Sequence, residues 1–166
     1  MKKLKIPFLN LSVSNPSIKE ELLQAVERVL DHGRILSGPE HQGFEKAVAK
    51  FCNRKHAIGI GSGTNALFLS MLALDIGPGD EVITTPLTMV ATTNAIILSG
   101  ATPVFVDVGE DLNIDPNLIE AAISPCTKAI LVVHFAGQMC EMTAIMDIAD
   151  RYGLMVIEDA AQAFGS

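Results

Sequence analysis

From His56 onward the sequence alternates with a regularity that leaves few folds open. Short apolar runs stand at 56–60 (HAIGI), 81–84 (EVIT), 102–107 (TPVFVD), 128–133 (KAILVV) and 154–158 (LMVIE). Between them, helical periodicity covers roughly 63–74, 88–99, 115–123 and 141–152. Runs of this length, separated by helices, predict βαβ units: an α/β fold whose mostly parallel sheet has helices on both faces. Such crossovers are right-handed, so every strand delivers its C-terminal end to one edge, where open α/β sheets bind ligands. Local punctuation agrees. Asp115-Pro116 reads as a helix cap with a first-turn proline, Gly77, Gly100 and Gly153 as helix stops, and "GPGD" at 77–80 as a turn.

Two amphipathic helices precede this rhythm. In the first, Asn15 is placed to cap, Pro16 suits the first turn and Gly33 ends it; it defines an N-terminal helical segment over residues 1–32. The second carries Phe44, Val48, Phe51 and Cys52 on one face. "GRILSG" between them reads as a loop. The net charge of −7 and the absence of a basic stripe argue against nucleic-acid and anionic-membrane surfaces. Three scattered cysteines without C-x-x-C fit neither a disulfide framework nor a zinc site, so a reducing, cytoplasmic setting and no metal are expected. The opening "MKKLKIPFLNLSVSNPS" imitates a signal peptide, but Pro7 and Asn10 break its short apolar part.

The chemistry-bearing residues fall after strand ends. "GIGSGTNALF" places Gly61, Ser62, Gly63, Thr64 and Asn65 where a helix opens. Free N–H groups and the positive helix end there make an anion cup; the same glycines also suit a tight strand-to-helix turn. Gly61-x-Gly63-x-x-Ala66 is a loose dinucleotide fingerprint. The acidic residue such a site needs at the second strand's end is missing, because Thr84-Thr85-Pro86 stands there. Thr85 and Thr88 are rim or capping residues, capping being the ordinary role for Thr88; Met89 would sit near any ligand in the cup, although a lone Met on a helical pattern is ordinarily core. Asp107 reads as a turn residue. His134 ends the fourth strand and is a site candidate or a structural histidine. Glu158 and Asp159 end the fifth. Neighbours on a strand point to opposite faces, so one of the two serves the edge and the other pairs elsewhere. Gly59-Ile60-Gly61-Ser62-Gly63 is no nucleophile elbow, since no residue separates Ser62 from Gly63.

Taken in order, "GRILSGPE", "FEKAVAKFC", "SGTNAL", "IGPGDEVITTPLT", "VATTNAI", "GATPVFVDV", "NIDPNLIEAAI", "TKAILVVH", "GQ" at 137–138 and "GLMVIEDAAQAFG" resemble the N-terminal part of the DegT/StrS-type aminotransferases. These are fold-type-I pyridoxal 5'-phosphate (PLP) enzymes acting mostly on nucleotide-linked keto-sugars. The likeness runs from about Gly33 to Ser166 and implies an incomplete PLP-binding large domain over residues 33–166. It implies that Asp159 bonds the cofactor's pyridine nitrogen, that Gln162 lies near its phenolic oxygen, and that Gly63 and Thr64, with Ser62 and Asn65 beside them, hold its phosphate. It also puts His134 close to the cofactor, and Glu158 becomes a structural residue.

Further implications are an amino donor, glutamate, and a homodimer in the full-length enzyme, with "GRILSG" near the sugar site. Two departures stand out. Met89 occupies a position where the family usually stacks an aromatic ring on the pyridine. The family's cofactor lysine belongs to a Ser-Phe-x-x-x-Lys stretch further on, and none of the eight lysines present has that context. The resemblance therefore implies that these residues alone do not transaminate. It leaves open a related dehydratase, in which histidine replaces the lysine, and a non-catalytic truncated product.

Overall fold

The computed structural model describes residue 7 and residues 9–166; the lysine-rich opening of the signal-like stretch lies outside the described residues. The chain forms two compact units, one ending at Gly59 and one running from Ile60 to Ser166.

The first unit contains α1 (Pro16–His32) and α2 (Pro39–Phe51). Both α1 boundaries follow the predicted chemistry. The Asn15 side chain accepts from the amides of Ser17 and Ile18, and Gly33 ends the helix in the left-handed region at φ 67°. The apolar stripes are less covered than their periodicity suggests. No residue of α1 is buried, and in α2 only Ala49 is, whereas Phe44 and Phe51 are exposed.

The second unit is a four-stranded, all-parallel sheet. Its elements are α3 (Gly63–Ala73), β1 (Glu81–Thr84), α4 (Val90–Ser99), β2 (Thr102–Phe105), α5 (Pro116–Ile119), β3 (Thr127–Val133), α6 (Met142–Tyr152) and β4 (Met155–Asp159). The strand order is β2-β1-β3-β4. One face buries Val82, Ala129, Leu131, Val133 and Ile157 against Leu67 and Met71 of α3 and Ala95 and Ile96 of α4. The other buries Ile83, Ile130 and Val132 against Ile119 of α5 and Ile145, Ile148 and Ala149 of α6. Both faces of β3 are thus covered, which is why its apolar run is continuous from Ala129 to Val133. Each of Ile130, Leu131, Val132 and Val133 contributes roughly 1.5–3 kcal/mol on burial, so β3 is the main anchor of the unit.

Three expectations are corrected. Residues 56–60 form no strand: the Gly59 amide donates to Glu45 Oε1 (2.8 Å) instead of to a ladder. The run has strand composition, but a strand exists only against a partner, and none pairs with it among the described residues. The helix expected over 115–123 is a short α5 capped by Asp115, followed by a 3-10 turn over Glu120–Ala122. Of the three glycine stops, Gly100 and Gly153 are left-handed helix ends (φ 90° and 66°), while Gly77 lies in the following turn, its amide bound to Asp80. Gly100 is doubly constrained, because a Cβ there would also come within 2.8 Å of Pro78 Cγ.

Candidate functional site

The chain leaves β1 through α4 to reach β2 on one side, then crosses back through α5 to β3 on the other. The connections therefore change direction between β1 and β3, and a crevice opens beyond the strand ends at that switch point. A cavity of about 410 Å³ lies there. Its wall is built from the start of α3 (Ser62, Gly63, Thr64), the entry to α4 (Thr88, Met89), Val133 at the end of β3, and Asp159 and Gln162 at and after β4. Six of the eight residues singled out for the cofactor meet here; Asn65 and His134 do not line the cavity.

The α3 end is arranged as an anion cup. Ser62 is the N-cap: its Oγ accepts from the Asn65 amide (3.2 Å) and its carbonyl from the Ala66 amide (3.0 Å). The cap thereby consumes the Asn65 N–H, while the amides of Gly63 and Thr64 have no partner within the described residues. A Cβ on Gly61 or Gly63 would meet no atom within 4 Å, so the space in front of these amides is open. Two unpaired N–H groups at the positive end of a helix favour an anion, a phosphate above all.

The β4 end supplies the opposite charge. Register with β3 pairs Val133 with Asp159 and Val132 with Glu158, so the two adjacent carboxylates take opposite faces, as strand geometry requires. Asp159 shares the cavity face with Val133. Its Oδ1 accepts from the Ala161 amide (3.2 Å) and its Oδ2 from the Thr92 hydroxyl (3.0 Å). Thr92 is fully buried on α4, and its Oγ1 lies 2.9 Å from that of Thr88. Thr88 is therefore not the helix cap expected of it; Met89 holds the N-cap position without a side-chain bond. Met89 is also not core: it is 70% exposed and forms a wall of the cavity. Thr92 carries no sequence motif. Its partner Asp159 lies 67 positions away, so nothing local in the sequence points to it.

Gln162 is held by a different device. Its Oε1 accepts from the Ala136 amide (2.7 Å), and Ala136 takes a left-handed conformation at φ 53° to present that N–H. With the carbonyl oxygen so engaged, both hydrogens of the Gln162 amide remain for a ligand acceptor.

His134 belongs to the other face. It is 1% exposed; its Nδ1 accepts from the Cys140 amide (3.2 Å), and its Nε2 lies 3.0 Å from Glu158 Oε2. A ring nitrogen that accepts a backbone N–H carries no proton, so the ring hydrogen sits on Nε2 and donates to Glu158. Both nitrogens are spent inside the protein. Beside it, burial, reinforced by the Asp111 carboxylate, pushes the Cys140 thiol from 9.0 up to about 11, while Cys52 and Cys126 are exposed. Only the thiolate reacts, so at pH 8 iodoacetamide will label Cys52 and Cys126 and leave Cys140 unmodified until the chain is unfolded. Peptide mass spectrometry of the labelled protein checks this; Cys140 labelled as fast as the other two would contradict it. The same shift sets a sign for stability. The unfolded thiol ionises first, so stability falls as pH rises through about 9 toward 11.

An amide cup, a carboxylate acceptor and a fixed amide donor around one cavity at a parallel sheet's switch point make a site that suits an anionic small molecule able to donate to the carboxylate and accept from the amide. The chain belongs to the DegT/DnrJ/EryC1/StrS aminotransferase family, which it matches over residues 16–166. It is 53% identical over 154 residues to the spore coat polysaccharide biosynthesis protein SpsC of Bacillus subtilis (strain 168), covering 92% of this chain and 40% of that protein. It is 47% identical over 163 residues to the dTDP-3-amino-3,4,6-trideoxy-alpha-D-glucose transaminase of Streptomyces venezuelae, covering 98% and 43%. The crystal structure of NtdA from Bacillus subtilis with bound cofactor PMP is similar at a TM-score of 0.91 and 41% identity, over 97% of this chain and 38% of that one. The chain thus spans about 40% of the length of these relatives. No helix among the described residues is long and apolar enough to cross a membrane.

Proposed function

We propose that this chain forms the cofactor-binding part of a PLP-dependent aminotransferase acting on a nucleotide-linked keto-sugar, with glutamate as amino donor. The observation that carries the reading is the pair of unpartnered amides, Gly63 and Thr64, opening on the same cavity as the Asp159 carboxylate. The residues fit the cofactor. The amides and the open space before Gly63 suit its phosphate, Asp159 retains lone pairs for a ring N–H, and the Gln162 amide can donate to its phenolic oxygen. When bound, PLP supplies an electron sink for chemistry at the carbon bearing the amino group. Asp159 keeps the ring nitrogen protonated, because a nearby carboxylate favours the charged form. Met89 bounds the cavity with a polarizable thioether, a looser cover than an aromatic ring.

The sugar substrate and its use in surface polysaccharide are supported by what the two relatives are called. No lysine lines the cavity, so the described residues alone bind the cofactor without turning over. The full enzyme is read as a cytoplasmic homodimer with the boundaries drawn at residues 1–32 and 33–166; three free cysteines suit a reducing compartment.

Pyridoxamine phosphate (PMP) tests this directly, since it needs no covalent lysine. Titration by fluorescence or calorimetry should show one saturable site per chain, displaced by inorganic phosphate. Absence of saturation, or binding indifferent to phosphate, would overturn the proposal.

A further inference from the structure

The hydroxyl pair behind Asp159 has a fixed direction. A carboxylate only accepts hydrogen bonds, so the 3.0 Å contact with Asp159 Oδ2 obliges Thr92 to donate. A threonine hydroxyl has one hydrogen. With that hydrogen committed, the 2.9 Å contact between Thr88 and Thr92 is a donation from Thr88. Both O–H dipoles therefore point along one line toward the carboxylate. A helical threonine ordinarily turns its hydroxyl back to a carbonyl of its own helix; Thr92 instead reaches from α4 across to β4, a partner 67 positions away. It does so fully buried, where its rotamer is fixed by packing and a charge-assisted bond is strengthened by exclusion of water. Oδ1 is held separately by the Ala161 amide. Each carboxylate oxygen thus has one internal donor, which fixes the plane of the group and leaves a lone pair on each for a ligand.

We propose that Thr92 is a positioning residue, with Thr88 as its second link, that orients the Asp159 carboxylate toward the ring nitrogen of the bound cofactor. The inference rests on the function proposed above. It concerns Thr92's effect through Asp159, not contact with the cofactor.

The test compares PMP with its deaza analogue, in which a C–H replaces the ring nitrogen. The wild-type chain should prefer PMP. Thr92→Val, nearly isosteric, should reduce that preference about tenfold while leaving affinity for the deaza analogue within twofold. Thr92→Ser should restore the preference, and Thr88→Val should lower it by a smaller factor. Equal weakening of both ligands would mean that Thr92 is merely structural, and an unchanged preference in Thr92→Val would refute the proposal. If Thr92→Val does not fold by circular dichroism, Thr88→Val carries the test, and its full retention of the preference would refute it. Failure of the wild-type chain to distinguish the two ligands would instead count against the cofactor reading of Asp159.

Discussion

Asp159→Ala will weaken PMP binding by roughly 10- to 150-fold. The estimate follows from the role of the group: a hydrogen bond to a charged partner contributes about 1.5–3 kcal/mol, and 1.36 kcal/mol is a factor of ten. The variant also leaves the buried Thr92 hydroxyl without its acceptor, a cost carried by the free protein as well as the complex. Asp159→Asn separates the two effects. It brings no negative charge and keeps one acceptor, for Ala161, while its NH2 can donate to a Thr92 hydroxyl that turns its own hydrogen toward Thr88, so it should lose most of the affinity at a smaller cost in stability than the alanine. PMP titrations of the three proteins, with urea denaturation alongside, decide the matter. Affinity of Asp159→Ala within twofold of wild type would remove Asp159 from the site.

The second large effect lies outside the cavity. Asn113 is 1% exposed and makes bonds in three directions. Its Oδ1 accepts from the Phe135 amide (3.0 Å), its Nδ2 donates to the carbonyls of Gln138 and Met139 (both 3.3 Å), and it also meets Asp111 Oδ2 (3.1 Å). One side chain thereby satisfies the backbone of the turn after β3. Asn113→Ala orphans that amide and those carbonyls and should destabilise the protein by about 2–4 kcal/mol, because buried polar groups left unpaired cost 1–3 kcal/mol each. Since the same turn presents the Ala136 N–H that orients Gln162, PMP affinity should fall as well. Urea unfolding reads the first effect; a loss below about 1 kcal/mol would show that water replaces the side chain at little cost.

What could be read from the sequence was what is encoded locally. The strands β1, β3 and β4 and the helices between them follow from periodicity over a few residues. The cup at Ser62–Thr64 follows from capping chemistry that spans four. Asp159 was separable from Glu158 in principle by strand parity, though only the register against β3 and the position of the cavity show which one faces it. Residues 56–60 misled because apolar composition is local but strand pairing is not. Thr92 and Asn113 were invisible for the same reason: their partners lie 67 and 22–26 positions away, and neither has a residue type that announces burial. His134 looked like a site residue from its place at a strand end. The face it takes depends on Glu158, which only the fold brings within reach.

The opposed carboxylates of β4 have a consequence for how this region can vary. Side-chain direction in a strand has a period of two, so a shift of β4 by a single residue would exchange the two faces. Shifted one way, Glu158 would enter the cavity and Ile157 would face His134; shifted the other way, Asp159, one methylene shorter, would be offered to His134 and Ala160 would take the cavity position. Substitution at either position degrades one function and spares the other. A one-residue insertion or deletion between Gly153 and Met155 would strike both at once, breaking the His134 clasp and misplacing the charge at the cavity together. In the loop ahead of β4, a change of length therefore costs more than a change of composition.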